Sequence, residues 1–218
     1  MTKVAVGVSC NHQFLQQAVN WGAQLCIFHH GLDDRTDHGH YPLYTQKRLR
    51  LIFKHDLSIL GYHYALDAHP RLGNNAQIIT KLGGKITDTL YEDWGFVAKL
   101  SKPVTLDELS QSCQQLFAKD IHLFGSTSTE IDTIGVVSGA AKPYASHIKE
   151  LQAKGVQAYI SGETSESTPH RLIESNIPYL VCGHYATETF GVKALAQVID
   201  NQFDQQLEVQ FIDIPNSI

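Results

Sequence analysis

Cysteine, charge and long apolar runs are all in short supply in this 218-residue chain. The four cysteines, Cys10, Cys26, Cys113 and Cys182, are scattered without a CxxC pair, which supports neither a disulfide framework nor a cysteine-rich zinc site. Reduced thiols packed in or beside strands are expected instead. Charged residues make up 18%, below the roughly 25% usual for soluble proteins. Seventeen basic residues face 22 acidic ones, and the net charge of −5 argues against non-specific nucleic-acid binding, which needs a basic face. No apolar run approaches the ~18–20 residues of a membrane span, and no basic segment followed by an apolar one opens the chain. A cytoplasmic protein is therefore expected. With 43% hydrophobic residues and no low-complexity tract, the chain is not disordered. What it does carry is histidine, 12 residues of it.

The length suits one large domain or two small lobes. Lys3–Ser9 and Leu25–Phe28 have the β-branched and apolar content of buried strands, with helical spacing over His12–Gln24 between them. A polar stretch rich in Gly, Asp and His runs from His29 to Pro42, followed by a helix over Tyr44–His55 and a third strand over Leu57–His63. Ala68–Asn75 reads as a loop and Asn75–Leu82 as a helix. In the middle, Trp94–Leu100 alternates like a half-exposed strand, and Thr105-x-x-Glu108 has the pattern of a capping box for a helix running to Phe117. Ile121–Phe124 and Ile134–Ser138 read as further strands, while His122 and His147 stand isolated and read as core or surface residues. Helices over Tyr144–Lys154, Pro169–Ser175 and Val192–Gln202 then alternate with strands at Val156–Ile160, Tyr179–Cys182 and Leu207–Ile212.

Such alternation means α/β architecture with mixed, partly parallel sheets. We expect two similar α/β lobes around a shared metal-binding cleft, because the buried strands end in His or acidic residues and ligands of open α/β sheets gather at strand ends. Residues 1–84 would form the first lobe with His29, His30 and Asp67. Residues 85–140 would be a structural part of the second lobe, and 141–218 its remainder with His184 and Glu188.

Three clusters carry the chemistry: His29-His30, the run His63–His69 and the run His184–Glu188. Adjacent strand side chains point to opposite faces, so His29 and His30 converge only at a strand end, where Gly31 loosens the backbone. His184 and Glu188 are four apart and share one face if this corner enters a helix. Asp67 adds a carboxylate able to bridge two cations. Histidine with carboxylate suits Zn, Mn, Fe, Co or Ni, and the lack of thiolates disfavours a purely structural zinc site. Residue types alone leave open whether such a site holds one ion or two, and each histidine alone also reads as a capped or core residue.

Four blocks in order make the pattern specific: IFHHG at 27–31, HYALDAHPRLGNNAQ at 63–77, ISGETSE at 160–166 and GHYATETFGVKAL at 183–195, with FIDIPN at 211–216. On these the chain resembles the YbgI-type dinuclear metal-centre family, whose bacterial members are labelled homologues of a type-2 GTP cyclohydrolase I. The likeness runs over nearly the whole chain, weakest through 85–135, and is to the short form without a central insert. Members usually carry a leader segment before the first strand, whereas here KVAVGVS follows Met1 almost at once; the resemblance implies either a shorter natural form or a start trimmed or assigned downstream. The resemblance implies that His29, His30, Asp67, His184 and Glu188 bind two divalent metal ions per subunit. It makes His63 and Glu163 candidates for acid/base work, with His69 and His170 weaker ones; His69, beside Pro70, also reads as a solvated loop side chain.

Metal-assisted hydrolysis of a small, nucleotide-like substrate is the activity the resemblance implies, in a ring-like homohexamer. The alternative is a non-enzymatic metal-binding or regulatory protein. There is no GxxxxGK[ST] loop, so any phosphate would fall to the metals or to basic residues such as Lys142, Lys47, Arg48 or Arg50, which otherwise read as solvated surface.

Overall fold

The computed structural model describes residues 1–203 and 206–217. In chain order its elements are β1 (Lys3–Ser9), α1 (His12–Trp21), β2 (Leu25–His30), α2 (Leu43–Lys54), β3 (Ser58–Gly61), α3 (His63–Asp67), α4 (Asn74–Lys81), β4 (Gly84–Leu90) and β5 (Gly95–Thr105). There follow α5 (Leu106–Phe117), β6 (His122–Phe124), β7 (Glu130–Val137), α6 (Ala145–Ala153), β8 (Ala158–Ser161), α7 (Thr168–Glu174), β9 (Tyr179–Val181), α8 (His184–Thr187), α9 (Thr189–Gln202) and β10 (Glu208–Phe211).

Two compact units result. The first comprises 1–66 and 191–215, and the second 67–190 with 216–218. The chain passes between them inside α3 and again inside α9. This differs from the sequence-based boundaries at 84 and 140: residues 67–84 join the second unit, and the tail returns to the first. The tail returns because β10 pairs in parallel with β1, Lys3 opposite Glu208 and Val6 opposite Phe211.

The first unit holds a wholly parallel sheet of order β10-β1-β2-β3. Period-two alternation divides its apolar residues between two faces. Ala5, Cys26 and Phe28 pack with Phe14, Leu15 and Ala18 of α1 on one side. Val4, Val6 and Ile27 meet Leu195, Ala196 and Ile199 of α9 on the other. Burial on both faces is why β1 reads as an unbroken apolar run. Helix α1 starts where the Asn11 side chain accepts the Phe14 amide at 2.9 Å and stops at Gly22, which takes the left-handed φ of +85°.

The second unit holds a mixed sheet of order β4-β5-β7-β8-β9-β6, parallel through β7-β8-β9 and antiparallel elsewhere. Helices α4 and α5 cover one face, where Ile78, Leu106 and Leu109 meet Ala98, Ile134, Ile160 and Leu180. Ile148, Leu151 and Leu172 cover the other with Tyr159 and Tyr179. The capping box forms as its residues predict, with Thr105 and Glu108 each accepting the other's amide. Strand β5 corrects one expectation: Gly95–Ala98 are buried consecutively rather than alternately, because β5 lies between β4 and β7 with both faces covered. Strand β4, polar in sequence, is an edge strand that the pattern did not reveal.

No helix among the described residues is long and apolar enough to cross a membrane. All four cysteines are free and buried.

Candidate metal centre

In the first unit, β2 runs through His30, so both histidines lie at the strand's carboxyl end, His29 fully buried and His30 half-buried. A close crossing of two glycines brings a third imidazole to them. A Cβ on Gly61 would stand 2.9 Å from the Gly31 Cα, so β2 and the chain leaving β3 can approach only without side chains there. His63, which opens α3, then stacks on His29 with ring centroids 4.7 Å apart and lies 5.0 Å from His30. The His29 and His30 rings are 4.8 Å apart. Each of the three offers a ring nitrogen within 4.8 Å of the others, a spacing open to a shared cation. Ser9, opposite His30 in the β1–β2 register, meets its Nδ1 at 3.1 Å and fixes the ring.

In the second unit the donors follow β7, β8 and β9, whose carboxyl ends are laced together by backbone bonds. Gly162 and Glu163 both donate to the Gly139 carbonyl, and Gly183 donates to that of Gly162, all at 3.0 Å. The corner after β9 does enter a short helix, and the His184 Nε2 lies 3.1 Å from the Glu188 Oε1. Its Nδ1 lies 2.6 Å from the Glu163 Oε1, while the other Glu163 oxygen accepts from Lys142 at 2.5 Å. Held between two carboxylates, the imidazole has its pKa raised to about 9: the Glu188 hydrogen bond dominates, burial opposes it, and the Glu188 charge and Glu163 add to the rise. Burial alone would push the Glu163 carboxyl up, but the Lys142 and His184 bonds and charges outweigh it and hold that carboxyl below its usual range. The spot therefore stabilises positive charge.

Asp67 is buried, 7% exposed, and its Oδ1 accepts from the Asn74 amide at 2.8 Å and the Ser138 hydroxyl at 2.9 Å. Asn75 ties the same region together, donating to the Asp67 and Trp94 carbonyls and accepting the Ser138 amide at 2.7 Å. Gly139, at φ +67°, makes room for the carboxylate of Glu188. A Cβ there would collide with that carboxylate and stand 3.3 Å from the His184 Nε2. Beneath Glu163, the stacked rings of Tyr159 and Tyr179 hold the backbone. Tyr179 donates to the Glu163 carbonyl at 2.5 Å, and Tyr159 to that of Ala141, next to Lys142, at 2.7 Å.

Imidazole and carboxylate donors without thiolate, with a glycine cradle beneath one carboxylate, fit a divalent first-row cation. Two weaker candidates lie elsewhere. His69 is half-buried rather than solvated, its Nδ1 accepting the amides of Arg71 and Leu72 as a turn cap. His170 is exposed on α7, lining a surface cavity of about 580 Å³ with Phe124 and Ile173. Sequence reasoning missed Asn74, Asn75, Ser138 and Gly139 as supports. The signal available was two successive asparagines at the start of an apolar helix, both fully buried here. It also read Lys142 as solvated surface or a phosphate ligand, whereas Lys142 is engaged by Glu163.

Strands that deliver imidazoles and carboxylates from their carboxyl ends define an α/β protein carrying a candidate His/Glu metal-binding cluster. The family model described as Duf34/NIF3 (NGG1p interacting factor 3) matches residues 1–217, and the chain belongs to this family. It is 33% identical over 217 residues to the GTP cyclohydrolase 1 type 2 homolog of Buchnera aphidicola subsp. Schizaphis graminum, covering 98% of this chain and 85% of that protein. The homolog from Escherichia coli strain K12 is likewise 33% identical, over 219 residues, with the same coverage. Among solved structures, protein ybgI, titled as of unknown function, superposes with a TM-score of 0.86 at 32% identity, covering 100% of this chain and 86% of that one. A protein from Thermus thermophilus gives 0.81 at 27% identity, covering 100% and 85%.

Proposed function

We propose that this protein is a metal-dependent hydrolase of a small nucleotide-like substrate, using two divalent cations held by His29, His30, Asp67, His184 and Glu188. The observation that carries this reading is His184 gripped by Glu163 on one nitrogen and by Glu188 on the other, over a glycine that admits the Glu188 carboxylate. When bound, paired divalent cations supply Lewis-acid polarisation and acidify a water. Glu163 fixes the ring of His184 through Nδ1, a carboxylate–histidine arrangement that orients a metal ligand. His63 and Glu163 are the groups assigned to proton transfer. The nucleotide-like substrate is supported by the name of the relatives, GTP cyclohydrolase 1 type 2 homologs. His and carboxylate donors accept Zn, Mn, Fe, Co or Ni alike. We further propose a ring-like homohexamer working in the cytoplasm, where reduced, buried thiols are at home.

The test is turnover. Full-length protein loaded with each of these metals is assayed against GTP, phosphodiesters and short peptides beside the doubly substituted His184→Ala, Glu188→Ala variant, with metal content measured on both. Two ions per chain and hydrolysis in the parent are expected, with metal content reduced and the rate down at least 100-fold in the variant. Equal activity in the variant would sink the site. Bound metal with no turnover across the panel would favour the binding-protein reading.

A further inference from the structure

The sequence offers no phosphate loop, and the one basic residue it suggested near the second-unit donors, Lys142, is consumed by Glu163. A different lysine is placed for that work. Lys119 follows the left-handed C-cap of α5, Ala118 at φ +50°, and its stem lies along the backbone of Gly183, the residue before His184. A Cβ on Gly183 would stand 2.5 Å from the Lys119 Nζ and 3.2 Å from its Cδ, so only glycine lets the lysine lie there. The ammonium enters no ion pair among the described residues; its hydrogen bond is a long one, 3.4 Å, to the Ser217 carbonyl. It borders a cavity of about 220 Å³ whose walls include Gly162, Glu163, Thr164 and His122. Of the two carboxylates lining that cavity, Glu163 is already neutralised by Lys142 and His184, and Asp120 is exposed and screened by solvent.

We propose that this cavity is an oxyanion subsite that takes a phosphoryl group of the substrate, with Lys119 as its charge. An ammonium is a compact point charge with three donors, suited to phosphate oxygens. The wall it shares with the donor set is Glu163, so a phosphoryl group held here places the rest of a nucleotide-like molecule beside His184. The inference rests on the hydrolase reading for its substrate class but not for its test.

Chelator-treated full chain is examined by equilibrium dialysis with radiolabelled inorganic phosphate. Saturable binding is expected in the parent, weakened at least tenfold in Lys119→Met, which keeps the stem over Gly183, and largely retained in Lys119→Arg. Unchanged binding in Lys119→Met, at unchanged melting temperature, would overturn the subsite, as would no saturable binding in the parent. Either result leaves the metal-dependent turnover experiment standing, since no metal is present.

Discussion

A methyl group at position 139 would occupy space that the Glu188 carboxylate already fills, on a backbone turned to φ +67°. Gly139→Ala therefore combines backbone strain with displacement of a carboxylate that is itself 3% exposed. The strain should cost more than about 1 kcal/mol in urea unfolding, because alanine pays a steric penalty at positive φ that glycine does not. Displacement should also lower metal uptake below that of the parent, read by elemental analysis after loading. A Gly139→Ala variant that takes up metal as the parent does would show that the cradle is not part of a cation site. Sequence spacing captured the His184–Glu188 contact because four residues make one helical turn. It could not capture Glu163 on the far nitrogen, 21 residues away, or Ser138 on Asp67, 71 residues away, since those meet only when the strands are in register.

Local signals decided which elements were legible. The capping box at Thr105 is written within four residues, and it formed as written. Its chemistry sets a pH dependence. The Thr105 amide and hydroxyl bond the Glu108 carboxylate and hold its pKa below the ordinary glutamate value in the folded protein. The unfolded chain takes up that proton first as the pH drops. The stabilisation is thus full above the ordinary value and fades as the pH falls through the lowered one. Glu108→Gln should be less stable than the parent at pH 7, and the gap should close in acid, measured by urea unfolding at several pH values. A gap that does not vary with pH would refute this linkage. By contrast, β4 stayed hidden because an edge strand exposes polar residues that resemble a loop, and β5 was misread because a covered central strand need not alternate.

For the molecule as a whole, the α/β class was legible in the order of strands and helices, but not the assignment of α9 and β10. Chain order suggests contiguous thirds, whereas the parallel edge of β1 recruits the last strand. The first unit also displays an unusual surface. Of the 13 exposed large hydrophobic residues among those described, seven fall between Tyr41 and Tyr64, among them Phe53 at 76% and Leu43 at 62%. Contiguous exposed apolar patches mark protein interfaces, and the proposed hexamer would assign these side chains to its contacts. Sedimentation velocity should give a hexamer for the parent and smaller species for Phe53→Asp with Leu60→Asp; a stable parent monomer would refute the assembly.

The cysteines give each unit its own reporter. Cys10 and Cys26 belong to the first unit, Cys113 and Cys182 to the second. Burial pushes the Cys10 thiol up to about 11, against a smaller opposing effect of Arg48, and the Cys26 thiol up to about 12. Burial likewise drives Cys182 well above its usual value. Thiols so protonated and enclosed are inert toward alkylating reagents until the chain opens. Mass-resolved labelling during slow denaturation should therefore mark thiols in steps, the rate at which each is labelled, relative to that of an unprotected thiol, reading the opening free energy of its half.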